Sequence, residues 1–199
     1  MSSTVHTLAG QEPSRKSLEQ MQSIEQLRQL SGEEFEIGYI NRIVPHHQGG
    51  IMTSQIMLDK AVHPELRQQL EKSIEEQQRD IELLSTYLRT TYSQEPALDP
   101  AFVMEPQMSQ HLMSAPPESA EIIFLLMVRE HHHTVIEMGQ AVLQQANSQV
   151  LVDQATEMVQ SQRQELDLFA TFLSIWYGVE APQVTGDAET AMQYAMSIT

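Results

Sequence analysis

The stretch Ile43-Val44-Pro45-His46-His47-Gln48-Gly49-Gly50-Ile51 returns later in the chain as Val128-Arg129-Glu130-His131-His132-His133-Thr134-Val135-Ile136. A shift of about 85 positions lays His46 on His131 and His47 on His132, and without a gap it also lays Leu58 on Leu143, Leu66 on Leu151, Gln77 on Gln162, Thr86 on Thr171, Leu88 on Leu173 and Tyr92 on Tyr177. Roughly a dozen identities fall within about 55 residues. The period is longer than that of a solenoid repeat, so the pattern describes one supersecondary unit used twice.

Working outward from the first pair, Ser31 with Glu34 three residues on carries a capping-box signature and opens a helical pattern to about Ala61. Ile37, Ile40, Val44, His47, Ile51, Ser54 and Leu58 alternate steps of three and four and share one stripe; Tyr39, Ile43, His46, Gly50, Thr53 and Met57 form the stripe beside it. Both histidines therefore lie on the apolar face. Pro45 removes a backbone donor just before them and predicts a bend there. His63-Pro64-Glu65 reads as the start of the next helix, to about Tyr92, with Ile74, Gln77, Ile81, Leu84 and Leu88 on its core stripe and Asp80 one step round. A glutamine among aliphatics needs a polar partner.

The second unit repeats this plan. Pro116-Pro117 opens a helix to about Ala146, on which His131 shares a stripe with Val135 and Met138, and His132 shares one with Ile136 and Leu143. Asn147 or Ser148 caps a fourth long helix that stops at Gly178 and sets Gln162 and Glu165 where Gln77 and Asp80 stood. Two hairpins joined by a crossover give an all-α four-helix bundle with an internal twofold, the ferritin-like arrangement. Residues 1–16 read as a flexible arm, residues 17–178 as a single bundle domain with repeat units 31–92 and 116–177, and residues 179–199 as a tail with a short helix. Ser17 to Leu30 predicts an extra amphipathic helix outside the bundle, and the proline-rich stretch 93–115 predicts a methionine-rich loop.

Composition narrows the chemistry. At 199 residues one domain buries about 70% of its unfolded surface. A net charge of -16, with 11 basic against 27 acidic residues, argues against nucleic acid and for cations. No stretch approaches the roughly 18 apolar residues of a membrane span. Cysteine is absent and methionine numbers 12, so a metal site here is built from imidazole and thioether, and thioether selects copper(I) or silver(I). The candidate ligands are His46 and Met57 on the first helix and His131 and Met138 on its equivalent. His47 and His132 belong to the same constellation, and Asp80 and Glu165 are placed to orient imidazoles from behind. Adjacent helical residues point about 100° apart, so one histidine of each pair serves a different purpose from the other. Met104, Met108, His111 and Met113 form a second candidate set, and Met192 with Met196 a third. Met21, Met127 and Met158 read as core filler.

Two further readings stand beside this one. Glu130, His133 and Glu137 share a face with the local spacing of a carboxylate-bridged diiron bundle, although the first unit has Pro45, Gln48 and Met52 at those places. Such a face is otherwise usually solvated. A metal-free bundle whose histidines satisfy Gln77 and Gln162 is the third reading. Nothing resembles a nucleophile elbow or a phosphate-cradling glycine loop, so the expectation is a binding protein and not an enzyme.

The residues Tyr39-Ile40-x-x-Ile43-Val44-Pro45-His46-His47-Gln48-Gly49-Gly50-Ile51 with Gln77-x-x-Asp80, and their second copy through His131-His132 and Gln162-x-x-Glu165, resemble the bacterial Domain of Unknown Function family three-zero-five. The resemblance spans roughly residues 31–177. It implies a ferritin-like four-helix fold, frequent export and, in members of the CopM type, periplasmic copper binding in copper resistance. The chain departs from the family pattern at Ile43, Thr53 and Leu84, where methionine is usual, and at Glu130, which replaces the motif's proline. The resemblance also implies metal ions as partners, with a copper-export or chaperone protein as the recipient. Met1 to Gly10 carries no secretory signal pattern; a periplasmic or extracellular mature form is the expectation, a cytoplasmic protein the alternative.

Overall fold

The computed structural model describes residues 12–103 and 106–199, and among them every regular element is helical. α1 spans Arg15–Gln29, α2 Gly32–Leu58, α3 Pro64–Tyr92, α4 Pro106–Ser114, α5 Pro117–Gln145, α6 Gln149–Tyr177 and α7 Ala188–Ile198. A single 3-10 turn, Pro100–Phe102, lies in the crossover. α2 and α3 form one hairpin and α5 and α6 the other, with α2 packed directly on α5. α1, α4 and α7 lie against this bundle.

Two apolar clusters fill the bundle, one at each end. Phe35, Tyr39, Ile40, Ile43, Leu84, Leu88, Val135, Val142 and Leu151 belong to the first. Met57, Leu66, Leu70, Phe124, Leu125, Phe169 and Leu173 belong to the second. α2 runs from the first cluster to the second and α5 from the second to the first, so the two histidine pairs meet at the waist between them.

Local chemistry explains several boundaries. Gly178 takes φ +64 and ends α6 with paired bonds from Gly178 N–H to Ser174 and from Val179 N–H to Leu173, the left-handed stop that glycine adopts without a Cβ penalty. α2 runs unbroken through Pro45. A proline leaves the carbonyl four residues back without its helical donor; here that carbonyl, Asn41 O, accepts from Asp99 N–H in the crossover at 3.1 Å. The proline thus creates an attachment point for the crossover.

Three expectations need correction. Ser31 makes no side-chain cap, and the next residue, Gly32, sits at φ +56, so the helix enters through a left-handed glycine and not a capping box. The crossover is not only loop: it holds α4, whose Leu112 is fully buried. α1 buries Ile24 and Leu27 in the first cluster but leaves Leu18 and Met21 exposed, Met21 at 54%. Met21 is therefore not core filler; Met158 is.

Candidate metal centre

At the waist the rings of His46 and His131 lie face to face, 3.6 Å between centroids and tilted by 30°. His47 and His132 flank them at 6.3 and 6.1 Å from their respective neighbours. The two kinds of histidine have different surroundings. His47 Nε2 is 3.2 Å from Asp80 Oδ2, and His132 Nε2 is 2.5 Å from Glu165 Oε2. Both acids are themselves held across the bundle: Gln154 Nε2 donates to Asp80 at 2.9 Å, while Gln69 Nε2 and Ser73 Oγ donate to Glu165 at 2.7 and 2.8 Å. Tyr39 in turn donates to Gln154 Oε1 at 2.8 Å. The shift of about 85 relates Gln69 to Gln154 as it relates Asp80 to Glu165, so each acid receives an amide from the opposite hairpin.

Among the described residues no carboxylate pairs with His46 or His131. Both ring nitrogens of His46 and Nδ1 of His131 are buried without a hydrogen-bond partner. Burial, reinforced by the neighbouring imidazoles, holds the His46 pKa well below the usual 6.5 and drops that of His131 to about 3. Both rings are neutral at pH 7, with lone pairs available. Burial alone would push the Glu165 carboxyl up, but His132, Ser73 and Gln69 outweigh it and the group stays ionised.

His46 and the half-buried His131 face a cavity of about 300 Å³. Its walls carry Met108 and His111 from α4, Met127 from α5 and Met192 and Met196 from α7, with Phe102 and Phe124 as apolar panels. Three candidate sets that are far apart in sequence thus converge on one space. Among the described residues, no three histidine, aspartate or glutamate side chains converge closely enough to hold an ion by themselves. An ion in this cavity meets the imidazoles of His46, His131 and His111 and the thioethers of Met108, Met127, Met192 and Met196, with Glu130, Asp187 and Glu189 also on the wall; imidazole with thioether suits a soft cation.

Met57 and Met138 do not reach the cavity. Each is completely buried, Met57 in the second apolar cluster and Met138 in the first. They share a stripe with the histidines, but Met57 stands about 16 Å from His46 and Met138 about 10 Å from His131 along the helix axis, and the cavity wall takes its sulfur from Met108, Met127, Met192 and Met196 instead. His47 and His132 point to their acids. Met113 is 54% exposed and absent from the cavity wall, and Met104 lies outside the described residues. Met127, read from sequence as filler, lines the cavity; nothing in its helical register separates the two roles.

The carboxylates of the diiron reading are committed elsewhere. Glu130, 1% exposed, accepts at Oε2 from three consecutive backbone amides, Thr185, Gly186 and Asp187, at 2.6, 2.6 and 3.2 Å. It is neither a ligand set with His133 nor a solvated surface acid. Glu137 pairs with Arg28 at 2.5 Å. Gln77 Oε1 and Gln162 Oε1 have no partner, so the histidines do not serve to satisfy them.

Sequence reading also missed a pair of buried clasps. Glu36 accepts from the Tyr87 and Tyr92 hydroxyls and from the amides of Asn147 and Ser148, which lead into α6. Glu121 accepts from the Tyr177 hydroxyl and from the amides of Val62 and His63, which lead into α3. His63 Nδ1 is 2.6 Å from Glu121, and its ring stacks on Trp176 at 3.9 Å. Continuing the shift of about 85 upstream lays Glu36 on Glu121, and that was the available signal.

With this geometry in place, comparison with known proteins is informative. The family model described as Domain of unknown function (DUF305) matches residues 2–88 and 90–195, and the chain belongs to this family. No curated protein is significantly similar. Among solved structures, CopM in its Cu(I)-bound form has a TM-score of 0.67 at 21% identity, with 75% of this chain and 100% of that one covered. A DUF305 protein from Streptomyces coelicolor, provisionally classed as secreted, has a TM-score of 0.68 at 21% identity, with coverages of 74% and 95%. CopM in a silver-soaked form has a TM-score of 0.64 at 22% identity, with coverages of 72% and 97%. These likenesses establish the helical fold. No described helix is long and apolar enough to cross a membrane.

Proposed function

We infer that this chain binds copper as cargo, in the copper(I) state with silver(I) as its chemical analogue, and that copper(II) is accepted at the imidazoles. It sequesters the metal, or hands it to an export or chaperone protein, in copper resistance outside the cytoplasm. The observation that carries this reading is the cavity at the waist: two neutral imidazoles with unpartnered buried nitrogens, surrounded by the thioethers of Met108, Met127, Met192 and Met196. Neutral imidazole is the ligating form, and thioether favours the soft monovalent ion over harder competitors. The fold likeness to CopM, solved with copper(I) and silver, supports the same choice of metal.

A catalytic carboxylate-bridged centre is the weaker reading, because Glu130, Glu137, Asp80 and Glu165 are all engaged with protein groups. The deciding experiment is a copper(I) titration of the pure protein against a competing chelator under reducing conditions. His46→Ala with His131→Ala is expected to weaken affinity by roughly 100-fold or more, the loss of about 3 kcal/mol of ligation. Met57→Leu and Met138→Leu are expected to leave it within about twofold. Affinity no tighter than millimolar, or indifferent to the histidine substitutions, overturns the assignment.

A further inference from the structure

The lone pair of an imidazole nitrogen lies in the plane of its ring, so the angle between two rings decides whether both can serve one ion. His46 and His131 lie 3.6 Å apart with planes tilted by 30°. Planes so placed meet only about 7 Å from the ring centres, whereas an ion at an imidazole bond of about 2 Å stands roughly 3 Å from its ring centre. The two lone pairs run side by side and find no common ion.

Turning a ring to bring them together is opposed by packing. His46 is 2% exposed and is walled by His131, by His47 at 6.3 Å and by Phe102 at 6.1 Å. In surroundings this close-packed its ring turns only if those neighbours shift. His131 is half-buried, yet any large turn of its ring gives up the stack on His46.

The cavity is also larger than one ion needs. About 300 Å³ is available, and a bare copper(I) or silver(I) ion is no bigger than a water molecule, whose share of the liquid is about 30 Å³. The soft donors divide evenly between two ions. Met192 and Met196 stand one turn apart on α7, the spacing at which two side chains meet on one helix face. Met108 and Met127 supply two further sulfurs from α4 and α5. One imidazole with two thioethers makes a three-coordinate soft site, and the wall carries donors for two of them. Two positive charges side by side repel each other, but Glu130, Asp187 and Glu189 on the same wall outnumber Lys16 and offset part of that repulsion.

We propose that the waist holds two soft cations, one on each ring of the stacked pair His46 and His131, so that the cavity is a dinuclear store and not a single-ion site. The proposal rests on the metal-binding reading above and adds its stoichiometry and the division of its ligands.

Counting retained ions on the full chain tests it. After loading with silver(I) nitrate and dialysis against a competing chelator, the wild type is expected to retain about two ions, His46→Gln and His131→Gln about one each, and the double variant none. A single shared ion would be lost in either variant alone. X-ray absorption of the copper(I)-loaded wild type, which needs no variant, is expected to show a metal–metal distance of about 3.5–4 Å, the spacing that the stack imposes. One ion retained by the wild type overturns the proposal. So does loss of the whole load in either single variant that keeps wild-type circular dichroism, or retention of two ions with no metal–metal distance in that range. A wild type that retains no ion overturns the copper reading itself.

Discussion

The two hairpins of this protein are alike where they hold each other and unlike where they face the cavity. Glu36 and Glu121 close each other's turns with the same tyrosine and the same pair of amides, and Asp80 and Glu165 back His47 and His132 while receiving Gln154 and Gln69 from across the bundle. On the cavity side the correspondence stops: Pro45 answers Glu130, Gly49 answers Thr134, and α4 and α7 have no counterparts of each other in sequence. The difference teaches that the two hairpins share the frame and the facing histidines, whereas most of the thioethers on the cavity wall come from α4 and α7 outside the hairpins.

The largest expected effect comes from breaking the shared frame. Glu121→Ala strands two buried amides, a tyrosine hydroxyl and His63, and is expected to cost roughly 3–5 kcal/mol in urea unfolding. Glu36→Ala, with two tyrosines and two amides, is expected to fall in the same range; a difference greater than about 2 kcal/mol between them would show the frame to be less symmetric than its contacts.

A pH titration tests the unlike part. His131 titrates near 6.5 when unfolded and at about 3 when folded, so between those values the unfolded chain holds a proton that the folded chain does not. Stability is therefore level above pH 6.5 and falls as pH drops below it. The slope is up to about 1.4 kcal/mol per pH unit for one such histidine. The window from 6.5 to about 5.5 belongs chiefly to the histidines, because Glu36, Glu165 and Asp187, whose carboxyls are lowered in the fold, take up protons in the unfolded chain mainly below it. His131→Gln should reduce the slope in that window in equilibrium unfolding of the metal-free protein, and His46→Gln with His131→Gln should flatten it.

Smaller effects follow from single positions. A Cβ on Gly50 would stand 2.4 Å from Gln77 Oε1, the far end of a flexible side chain, so Gly50→Ala is expected to displace that amide at a cost of about 1–2 kcal/mol in thermal unfolding. Ser31→Ala is expected to cost less than about 0.5 kcal/mol, because the Ser31 side chain caps nothing. A loss above 1 kcal/mol, the usual cost of removing a cap, would mean that the box forms in solution.

The sequence made the frame legible because helical periodicity and a gapless internal shift both survive in it: the four long helices, the stop at Gly178 and the acids behind His47 and His132 all follow from spacing. The cavity did not follow. Stripe analysis assigns a side chain a direction around its own helix but not the element standing opposite, which is why Met57 and Met138 looked available and Met127 did not. Distance along the axis decided against the first two, and proximity to α4 and α7 decided for the third. Glu130 misled for a related reason, since an acid on an apolar face is read as a ligand or as solvated until the backbone amides it binds, more than fifty residues away, are known.

The crossed clasps have a consequence for how the chain folds. Glu36 closes the turn between α5 and α6, and Glu121 closes the turn between α2 and α3, so neither hairpin can complete its own reversal until the other is present. Contacts between residues 36 and 148 and between 62 and 121 are long in sequence, and loop closure must precede them. The two hairpins are therefore expected to fold as one kinetic unit, completing their last turn hydrogen bonds together in a late step.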